Sequence, residues 1–270
     1  MESTDVILDE SLVNRNLKAR ELYETPEFNQ CLMMHRLSIS HIGNISAYVN
    51  VTSLFLEHNR LDSLTGLSQL PKLKYLNANA NLIKTLDLTQ LDLPELEELH
   101  VAGNHISDII PPEKDVERLR AIRLSRNRLT RLPPLNFLPS LQILDISQNP
   151  INALSTDEYK TYLLSLSPTL AQLYIAPSDL TNQIPLFRKV TITTLPRLVF
   201  FDERPVTPDE IELAAAELSG DSERIESVKT MQKQRAHKEV RDRIKTYGEY
   251  EKTNQKNLRD ELRDFVKQFN

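Results

Sequence analysis

Few residues in this 270-residue chain have the types and spacing that chemistry requires. The only candidate nucleophile is the thiol of Cys31, which His35 could activate if both side chains project from the same face of a strand. The histidines form neither an HExxH motif nor a metal-ligand pair on a predicted helix, and no GxSxG motif occurs. One cysteine excludes a disulfide framework and a cysteine-based zinc site, and five isolated glycines exclude the common phosphate loops. The sequence therefore predicts a protein that is not an enzyme and has no cofactor or metal.

Charge and hydropathy limit the classes of partner and the cellular compartment that the sequence predicts. The net charge is −5, but residues 221–270 carry +3, so the first 220 residues carry −8. An acidic body disfavours nucleic acid as its partner. The first ten residues are acidic and lack an apolar run, which disfavours a secretory signal, and no run of 18 apolar residues could span a membrane. Together with a single cysteine, these features predict a soluble protein in the cytoplasm.

Asparagine recurs at a fixed interval through the middle of the chain. Successive asparagines are 22, 23, 23 and 22 residues apart, and each follows one apolar residue by three positions and precedes another by two. The five asparagines are Asn59, Asn81, Asn104, Asn127 and Asn149. The first unit reads Leu54-Phe-Leu56-x-x-Asn59-x-Leu61, and the other four keep its register. This is the leucine-rich repeat, LxxLxLxxNxL, five times over.

The repeat dictates an α/β solenoid. The LxL part forms a short strand with period 2, whose leucines point into the core, so the strands stack in parallel on a concave face. The asparagine lies where the chain turns inward, and its amide can bond backbone groups of neighbouring coils that would otherwise be buried without partners. We therefore predict that the five asparagines form a structural ladder, with a helical or irregular convex side opposite the sheet.

Degenerate units flank the five. Upstream, residues 32–39 place Leu37 at the asparagine position, and downstream, residues 170–180 place Ser178 there. The longer spacing before Ser178 predicts a convex-side helix over 155–167. We expect a C-terminal cap in which Phe201 closes the last apolar layer, Asp202 and Arg204 bond exposed strand-end backbone, and Pro205 ends strand pairing.

Helices are predicted beyond both ends of the solenoid. The apolar pattern of residues 5–24 favours an N-terminal capping helix that ends near Pro26, and Thr207-Pro208-Asp209-Glu210 is a capping box that begins another helix. The charged segment that follows predicts one long or two shorter helices, either a solvated tail or a partner-binding segment. Its last part has an apolar stripe at helical spacing, formed by Leu258, Leu262, Phe265, Val266 and Phe269. The predicted domains are an N-terminal cap over 1–28, the solenoid over 29–207 and a charged helical tail over 208–270.

The residues that alternate with the core leucines predict a protein-binding face. Rigid sheets that expose aromatic side chains favour protein recognition. Phe55, Tyr75, His100 and Arg123 are the residues on which we test this hypothesis. The full set of candidate contacts is Met33, Phe55, Tyr75, Asn77, Glu98, His100, Arg123, Asp145 and Tyr174.

Residues 18–207 resemble a known family, the leucine-rich-repeat assembly factors of axonemal dynein arms. The segment Leu22-Tyr-Glu-Thr-Pro-Glu-Phe-Asn29 is similar to that family's Leu-Tyr-x-Thr-Pro-x-Leu-Asn opening. The cap sequences Ile184-Pro-Leu-Phe-Arg-Lys189 and Leu198-Val-Phe-Phe-Asp-Glu-Arg-Pro-Val206 resemble its Ile-Pro-Asn-Tyr-Arg-Arg and Leu-Thr-Tyr-Leu-Asp-Asp-Arg-Pro-Val. Ser178-Asp179 departs from the family's last Asn-Pro pair.

The resemblance implies a function in assembly. It implies a non-enzymatic adaptor that helps to preassemble dynein arms in the cytoplasm for cilia or flagella, with dynein chains, chaperones or co-chaperones as partners. A related cap, Leu-Asp-x-x-Pro-Val-Thr, also occurs in leucine-rich regulators of protein phosphatases. A regulatory subunit of a phosphatase or another complex is therefore the alternative, and it would use the same concave face.

Overall fold

The computed structural model describes residues 5–152 and 154–268, and the chain divides into two compact units after Thr207. The first unit is a solenoid, and the second consists of helices. The strands are β1 Val6–Leu8, β2 Cys31–Met33, β3 Ile39–Ile42, β4 Ser53–Phe55, β5 Tyr75–Asn77, β6 Thr85–Asp87, β7 Glu98–His100, β8 Asp108–Ile110, β9 Ala121–Arg123, β10 Ile143–Asp145, β11 Gln172–Tyr174, β12 Phe200–Phe201 and β13 Arg204–Pro205. The helices are α1 Glu10–Ala19, α2 Thr156–Ser165, α3 Asp179–Gln183, α4 Phe187–Thr194, α5 Pro208–Ser219 and α6 Ser222–Gln268.

The large sheet has one strand from each repeat. Its order is β2-β4-β5-β7-β9-β10-β11-β12-β13, parallel throughout except for the last pair, β12 and β13, which is antiparallel. In this sheet the central residue of each strand from β2 to β11 is a buried leucine or isoleucine, and Phe201 occupies the same register in β12. Because a strand alternates its side chains between two faces, the flanking residues of each strand project away from this core. The prediction of an α/β leucine-rich-repeat solenoid is confirmed.

A left-handed backbone turn precedes each ladder asparagine. The five residues at this position have φ between 54° and 66°, in the left-handed region that residues other than glycine rarely adopt. Only one of the five is a glycine, Gly103, and the others are His58, Ala80, Arg126 and Gln148. Most of these turns therefore adopt a backbone conformation that their residue types disfavour, and contacts with neighbouring residues must offset the cost. Part of the offset comes from the backbone, since the N–H groups of His58, Ala80 and Arg126 each donate to a carbonyl of the next coil.

The N-terminal cap differs from its prediction. The predicted helix over 5–24 is wrong at its start, because Val6–Leu8 form β1, which pairs in parallel with β3, and α1 begins only at Glu10. The side chain of Asp9 accepts a hydrogen bond from the Leu12 N–H and caps the helix there. A β-branched run followed by an N-cap residue suits a strand-to-helix turn, and the capping helix ends at Ala19, before Pro26.

The other helical predictions are confirmed in outline. Ser155 and Glu158 form a reciprocal capping box at the start of α2, inside the predicted range of 155–167. In the second unit, α5 ends before Gly220, which has φ of 70°, and α6 is one long helix rather than two. Arg235 on α6 pairs with Asp209 and Glu212 on α5. The predicted apolar stripe of Leu258, Leu262, Phe265, Val266 and Phe269 lies outside the residues whose side chains are described.

Candidate protein-binding face

The asparagine side chains bond adjacent coils to each other. Each Nδ2 donates to one carbonyl of its own coil and one of the coil before it, as Asn104 does to Val101 O and Ala78 O at 3.0 Å. Its Oδ1 accepts from the Ile83 N–H of the preceding coil at 3.2 Å. Asn59, Asn81, Asn127 and Asn149 repeat this pattern, and all five side chains are buried. The ladder satisfies backbone groups that burial would otherwise leave without partners.

Different groups occupy the ladder position at its ends. At the first position the backbone N–H of Leu37 donates to Asn59, and the Leu37 side chain takes no part in hydrogen bonding. At the last position the buried Oγ of Ser178 has no hydrogen-bond partner among the described residues. A serine hydroxyl reaches less far than an asparagine amide, so the regular ladder ends at Asn149.

Strand register aligns the predicted contact residues in two rows along the concave face. The central row runs Met33, Phe55, Asn77, His100, Arg123, Asp145, Tyr174. The adjacent row runs Cys31, Ser53, Tyr75, Glu98, Ala121, Ile143, Gln172. In these rows Met33 is 46% exposed, Ala121 is buried, and the other predicted contacts are half-buried. Half-burial here reflects contact between neighbouring side chains of the face.

Aromatic rings on three neighbouring strands contact each other. The ring centroids of Phe55 and Tyr75 are 5.2 Å apart, and those of Tyr75 and His100 are 5.0 Å apart with a T-shaped geometry. Tyr75 Oη lies 3.3 Å from His100 Nδ1, and His100 Nε2 lies 3.2 Å from Glu98 Oε2. We call Phe55, Tyr75, Glu98 and His100 the aromatic–acidic cluster. Rings that support each other in this way form a rigid platform with a low entropic cost of binding.

A third row, which sequence reasoning missed, lies beside the central row. Glu57 Oε1 accepts a hydrogen bond from Asn77 Nδ2 at 3.0 Å, while Glu57 Oε2 is buried and has no partner among the described residues. Asn79 Oδ1 accepts from the Ala102 N–H and bonds the next coil. Both residues lie two positions after the central row, so extending the strand alternation by one step would have found them.

Burial sets the charge state of His100. Desolvation and the nearby Arg123 lower the pKa of His100 below its ordinary value of 6.5, and the carboxylates of Glu98 and Asp145 oppose this shift only in part. The side chain is 13% exposed. The imidazole is therefore neutral at physiological pH, and one of its nitrogens accepts while the other donates.

We expect stability to depend on pH through His100. Since its folded pKa is lowered, the unfolded chain binds more protons below pH 6.5. The contribution of neutral His100 to the free energy of unfolding is therefore complete above pH 6.5 and is lost as the pH falls towards the pKa of the folded state. Urea unfolding from about pH 8 to about pH 5 should show wild type losing more stability than His100→Asn. In a nuclear magnetic resonance titration, a His100 midpoint above 6.5 would contradict the assignment.

The C-terminal half of the concave face also has contacts between neighbouring side chains. Asp145 Oδ1 accepts from the Ser147 hydroxyl at 2.7 Å, and Tyr174 Oη donates to Gln172 Oε1 at 3.2 Å. The ring of Tyr174 lies 5.8 Å from that of Phe200 on the next strand. At the opposite end, Arg20 Nη1 lies 3.6 Å from Met33 Sδ, so the end of α1 reaches the edge of the face.

Cys31 lacks the surroundings of a catalytic thiol. Its side chain is exposed, and partial burial raises its pKa, which favours the unreactive thiol over the thiolate. His35 lies beyond the end of β2 at Met33, so the two side chains do not share a strand face as predicted. The described residues also contain no group of three or more His, Cys, Asp or Glu side chains that could hold a metal ion.

The cap uses one arginine that was not predicted. Phe201 is buried, its ring lies 5.6 Å from that of Phe187, and Asp202 Oδ1 accepts from the Ile175 and Ala176 N–H groups. Arg188 on α4 donates to Phe201 O and Pro205 O, a role we had expected of Arg204.

The cap contains a short antiparallel strand that the sequence did not predict. Arg204 is exposed, and with Pro205 it forms β13, which pairs with β12. Pro205 is the last residue of β13, and β13 is the edge strand of the sheet. Proline suits this edge because it has no N–H group to offer to a further strand.

Comparisons with known proteins agree with the fold. A family profile described as "Leucine Rich repeats (2 copies)" matches residues 117–157, and one described as "Leucine Rich Repeat" matches residues 95–113. Among solved structures, internalin C2 of Listeria monocytogenes superposes with a TM-score of 0.53 at 22% identity, covering 70% of this chain and 81% of that chain. The repeats of this chain are leucine-rich repeats, and they build the leucine-rich-repeat fold.

Individual relatives match about half of this chain. Toll-like receptor 2 of Equus caballus is 32% identical over 141 residues, which is 49% of this chain and 17% of the receptor. Tubulin-specific chaperone E of Xenopus laevis is 31% identical over 140 residues, which is 48% of this chain and 26% of the chaperone. The chain thus spans about a quarter or less of the length of these relatives. In the described residues, no helix is long and apolar enough to span a membrane.

Proposed function

We propose that this chain is a non-enzymatic adaptor that binds a protein partner on its concave face. The observation that carries the proposal is the aromatic–acidic cluster, where rings from three adjacent strands contact each other beside the half-exposed carboxylate of Glu98. Binding energy at protein interfaces concentrates in aromatic and charged anchors of this kind. Because the strands are fixed by the core and the ladder, the anchors are held in place before binding.

We propose further that the adaptor takes part in cytoplasmic preassembly of axonemal dynein arms. The support is the resemblance of residues 22–29 and of the cap segments 184–189 and 198–206 to the dynein-arm assembly factors. A leucine-rich segment related to this one also occurs in a protein named tubulin-specific chaperone E, which is compatible with a function in assembly. The expected partners are dynein chains, chaperones and co-chaperones.

The alternative is a regulatory subunit of a protein phosphatase. It is supported by Phe201-Asp-Glu-Arg-Pro-Val-Thr207, which resembles the Leu-Asp-x-x-Pro-Val-Thr cap of leucine-rich phosphatase regulators. Both functions use the same concave face, so they differ in the partner that is recovered and not in the residues that bind it.

Affinity purification from a flagellated or ciliated cell tests both functions. We expect the tagged chain to recover dynein chains with chaperones or co-chaperones, and the fourfold variant Phe55→Ala, Tyr75→Ala, His100→Ala, Arg123→Ala to recover about tenfold less. The readout is quantitative mass spectrometry, with circular dichroism to verify that the variant is folded.

A matched variant controls for the number of substitutions. His41→Ala, Leu82→Ala, Arg131→Ala, Leu164→Ala removes four exposed side chains outside the two concave rows and should recover the partners at the level of wild type. Recovery of a phosphatase catalytic subunit with its activity would replace the dynein proposal by the alternative. Equal recovery by both fourfold variants would overturn the concave face as the binding site.

A further inference from the structure

The N-terminal half of the concave face combines an aromatic platform with two carboxylates. The rings of Phe55 and Tyr75 lie side by side, and Glu98 lies directly across from Tyr75 on the next strand. The Glu98 side chain is 46% exposed, and its contact with His100 engages Oε2. Glu98 therefore keeps capacity to accept hydrogen bonds from a bound molecule, next to the faces of two rings.

A second carboxylate, that of Glu57, lies two positions after Phe55 and has one oxygen without a hydrogen-bond partner among the described residues. Glu57 Oε1 is bonded to Asn77, but Glu57 Oε2 is shielded from water and has no hydrogen-bond partner among the described residues. A carboxylate oxygen that has lost its hydration projects a stronger field than an exposed one, because the surrounding dielectric constant is lower. This arrangement is costly in the free protein, and a nearby cation would offset the cost.

The local charge is negative at physiological pH. His100 is neutral for the reasons given above, so it does not cancel Glu98. Desolvation, then Glu98 and then Glu57, raise the pKa of Tyr75, so the negative potential of both carboxylates reaches the phenol. Arg123 is two strands away from Tyr75, and its positive charge affects the pKa of Tyr75 less than the two carboxylates do.

We propose that this half of the concave face binds an arginine side chain of the partner, with its guanidinium over the Phe55–Tyr75 platform and hydrogen-bonded to Glu98. The proposal rests on the proposed adaptor function and adds the chemistry of what is recognised. Glu57, in the neighbouring third row, adds attractive potential and needs no direct contact.

Arginine fits this site better than lysine. Its guanidinium is planar and weakly hydrated, so it can stack on the rings while its edge donates to a carboxylate. A lysine ammonium is more strongly hydrated and would lose more hydration energy in a half-buried site. A neutral amide of the same shape as the guanidinium would keep the stacking and lose the charge.

A titration of the whole chain with N-acetyl-arginine amide tests the proposal. The titration is followed by nuclear magnetic resonance. We expect the amide resonances of β4, β5 and β7 to shift and to saturate with one dissociation constant. Lysine amide should bind more weakly, and N-acetyl-citrulline amide, the neutral isostere, should cause no localised shifts. Glu98→Gln should weaken binding about fivefold or more, because a charge-assisted hydrogen bond is lost.

Two further variants separate the local site from the general acidity of the body. Glu57→Gln should weaken binding without changing which amides shift. Glu97→Gln removes the same charge from the residue next to Glu98, but Glu97 is paired with Lys74 at 3.4 Å, and this variant should bind like wild type. Equal weakening by Glu97→Gln and Glu98→Gln, or equal binding of citrulline amide, would overturn the proposal.

The outcome is distinguishable from failure of the adaptor function. If arginine amide causes no localised shifts while the fourfold concave variant still loses its partners, the adaptor function stands and the guanidinium assignment is wrong. If arginine amide binds at the cluster but both fourfold variants recover the same proteins, the concave face binds guanidinium and the proposed adaptor function is wrong.

Discussion

Replacing Asn104 with alanine is expected to lower the free energy of unfolding by about 3 kcal/mol, because a buried amide that serves two coils is removed. The Ile83 N–H loses the acceptor that Asn104 supplies, and the carbonyls of Ala78 and Val101 each lose one donor. Those carbonyls keep a second donor from the neighbouring asparagines, so most of the cost falls on the N–H group. Urea unfolding followed by circular dichroism measures the loss.

Two further variants test whether hydrogen bonding, and not side-chain volume, accounts for the stabilising effect of the ladder asparagines. Asn152→Ala removes an exposed asparagine and should change stability by less than about 0.5 kcal/mol. Asn104→Asp keeps the shape but replaces the donor with an acceptor opposite two carbonyls, so it should destabilise at least as much as Asn104→Ala. An aspartate that is tolerated at neutral pH would show that the position needs only its volume.

The ladder also explains why the turns can dispense with glycine. Four of the five residues before the ladder asparagines carry a side chain in the left-handed region, at a cost of about 1 kcal/mol or more each. The asparagine amide bonds the carbonyl three residues before it, as Asn81 does to Ala78 O, and so closes the turn. The repeated asparagine is therefore both a link between coils and the local stabiliser of the turn.

The sequence predicted the features that follow from the regular spacing of the repeats. Both concave rows and the buried leucine between them follow from the strand alternation and the 22- to 23-residue repeat, and the observed register matches them residue by residue. Once the asparagines fix the register, no tertiary information is needed to place Phe55 beside Asn77 or Tyr75 beside Glu98. The same periodicity could not show that Phe55 and Tyr75 contact each other, because side-chain rotamers are not encoded in spacing.

The features that were missed lie where the period breaks. Residues 6–8 form a strand because Ile39–Ile42 lies beside them, a long-range pairing that no local pattern reveals. Arg188 on α4 donates to the cap carbonyls, whereas the sequence predicted this role for Arg204, two residues after Asp202. Glu57 lies one step beyond the strand that the repeat defines, and only the packing of neighbouring coils shows that one of its oxygens is buried.

Replacing Phe201 with alanine is expected to destabilise the solenoid by about 3 to 5 kcal/mol, the usual cost of removing a buried phenylalanine. Phe201 is 1% exposed and closes the apolar layer that runs through every repeat strand. Its ring contacts Phe187, and the guanidinium of Arg188 lies 5.7 Å from its centroid, so the loss also loosens α4. Urea unfolding measures the size of the effect.

The position of the loss distinguishes a cap from an ordinary core residue. In a solenoid each coil contacts only its neighbours, so the amides of β11 and β12 should exchange with solvent much faster in Phe201→Ala, while those of β4 and β5 change least. Val199→Ala is the matched control, because Val199 is 62% exposed and its backbone bond to Ala171 O is kept. Uniformly faster exchange from β4 to β12 would mean that the repeats unfold as one cooperative unit and that Phe201 acts as part of a common core. A graded response would instead assign Phe201 the function of protecting the last coil, because the effect of an end residue must decay along a chain of nearest-neighbour contacts.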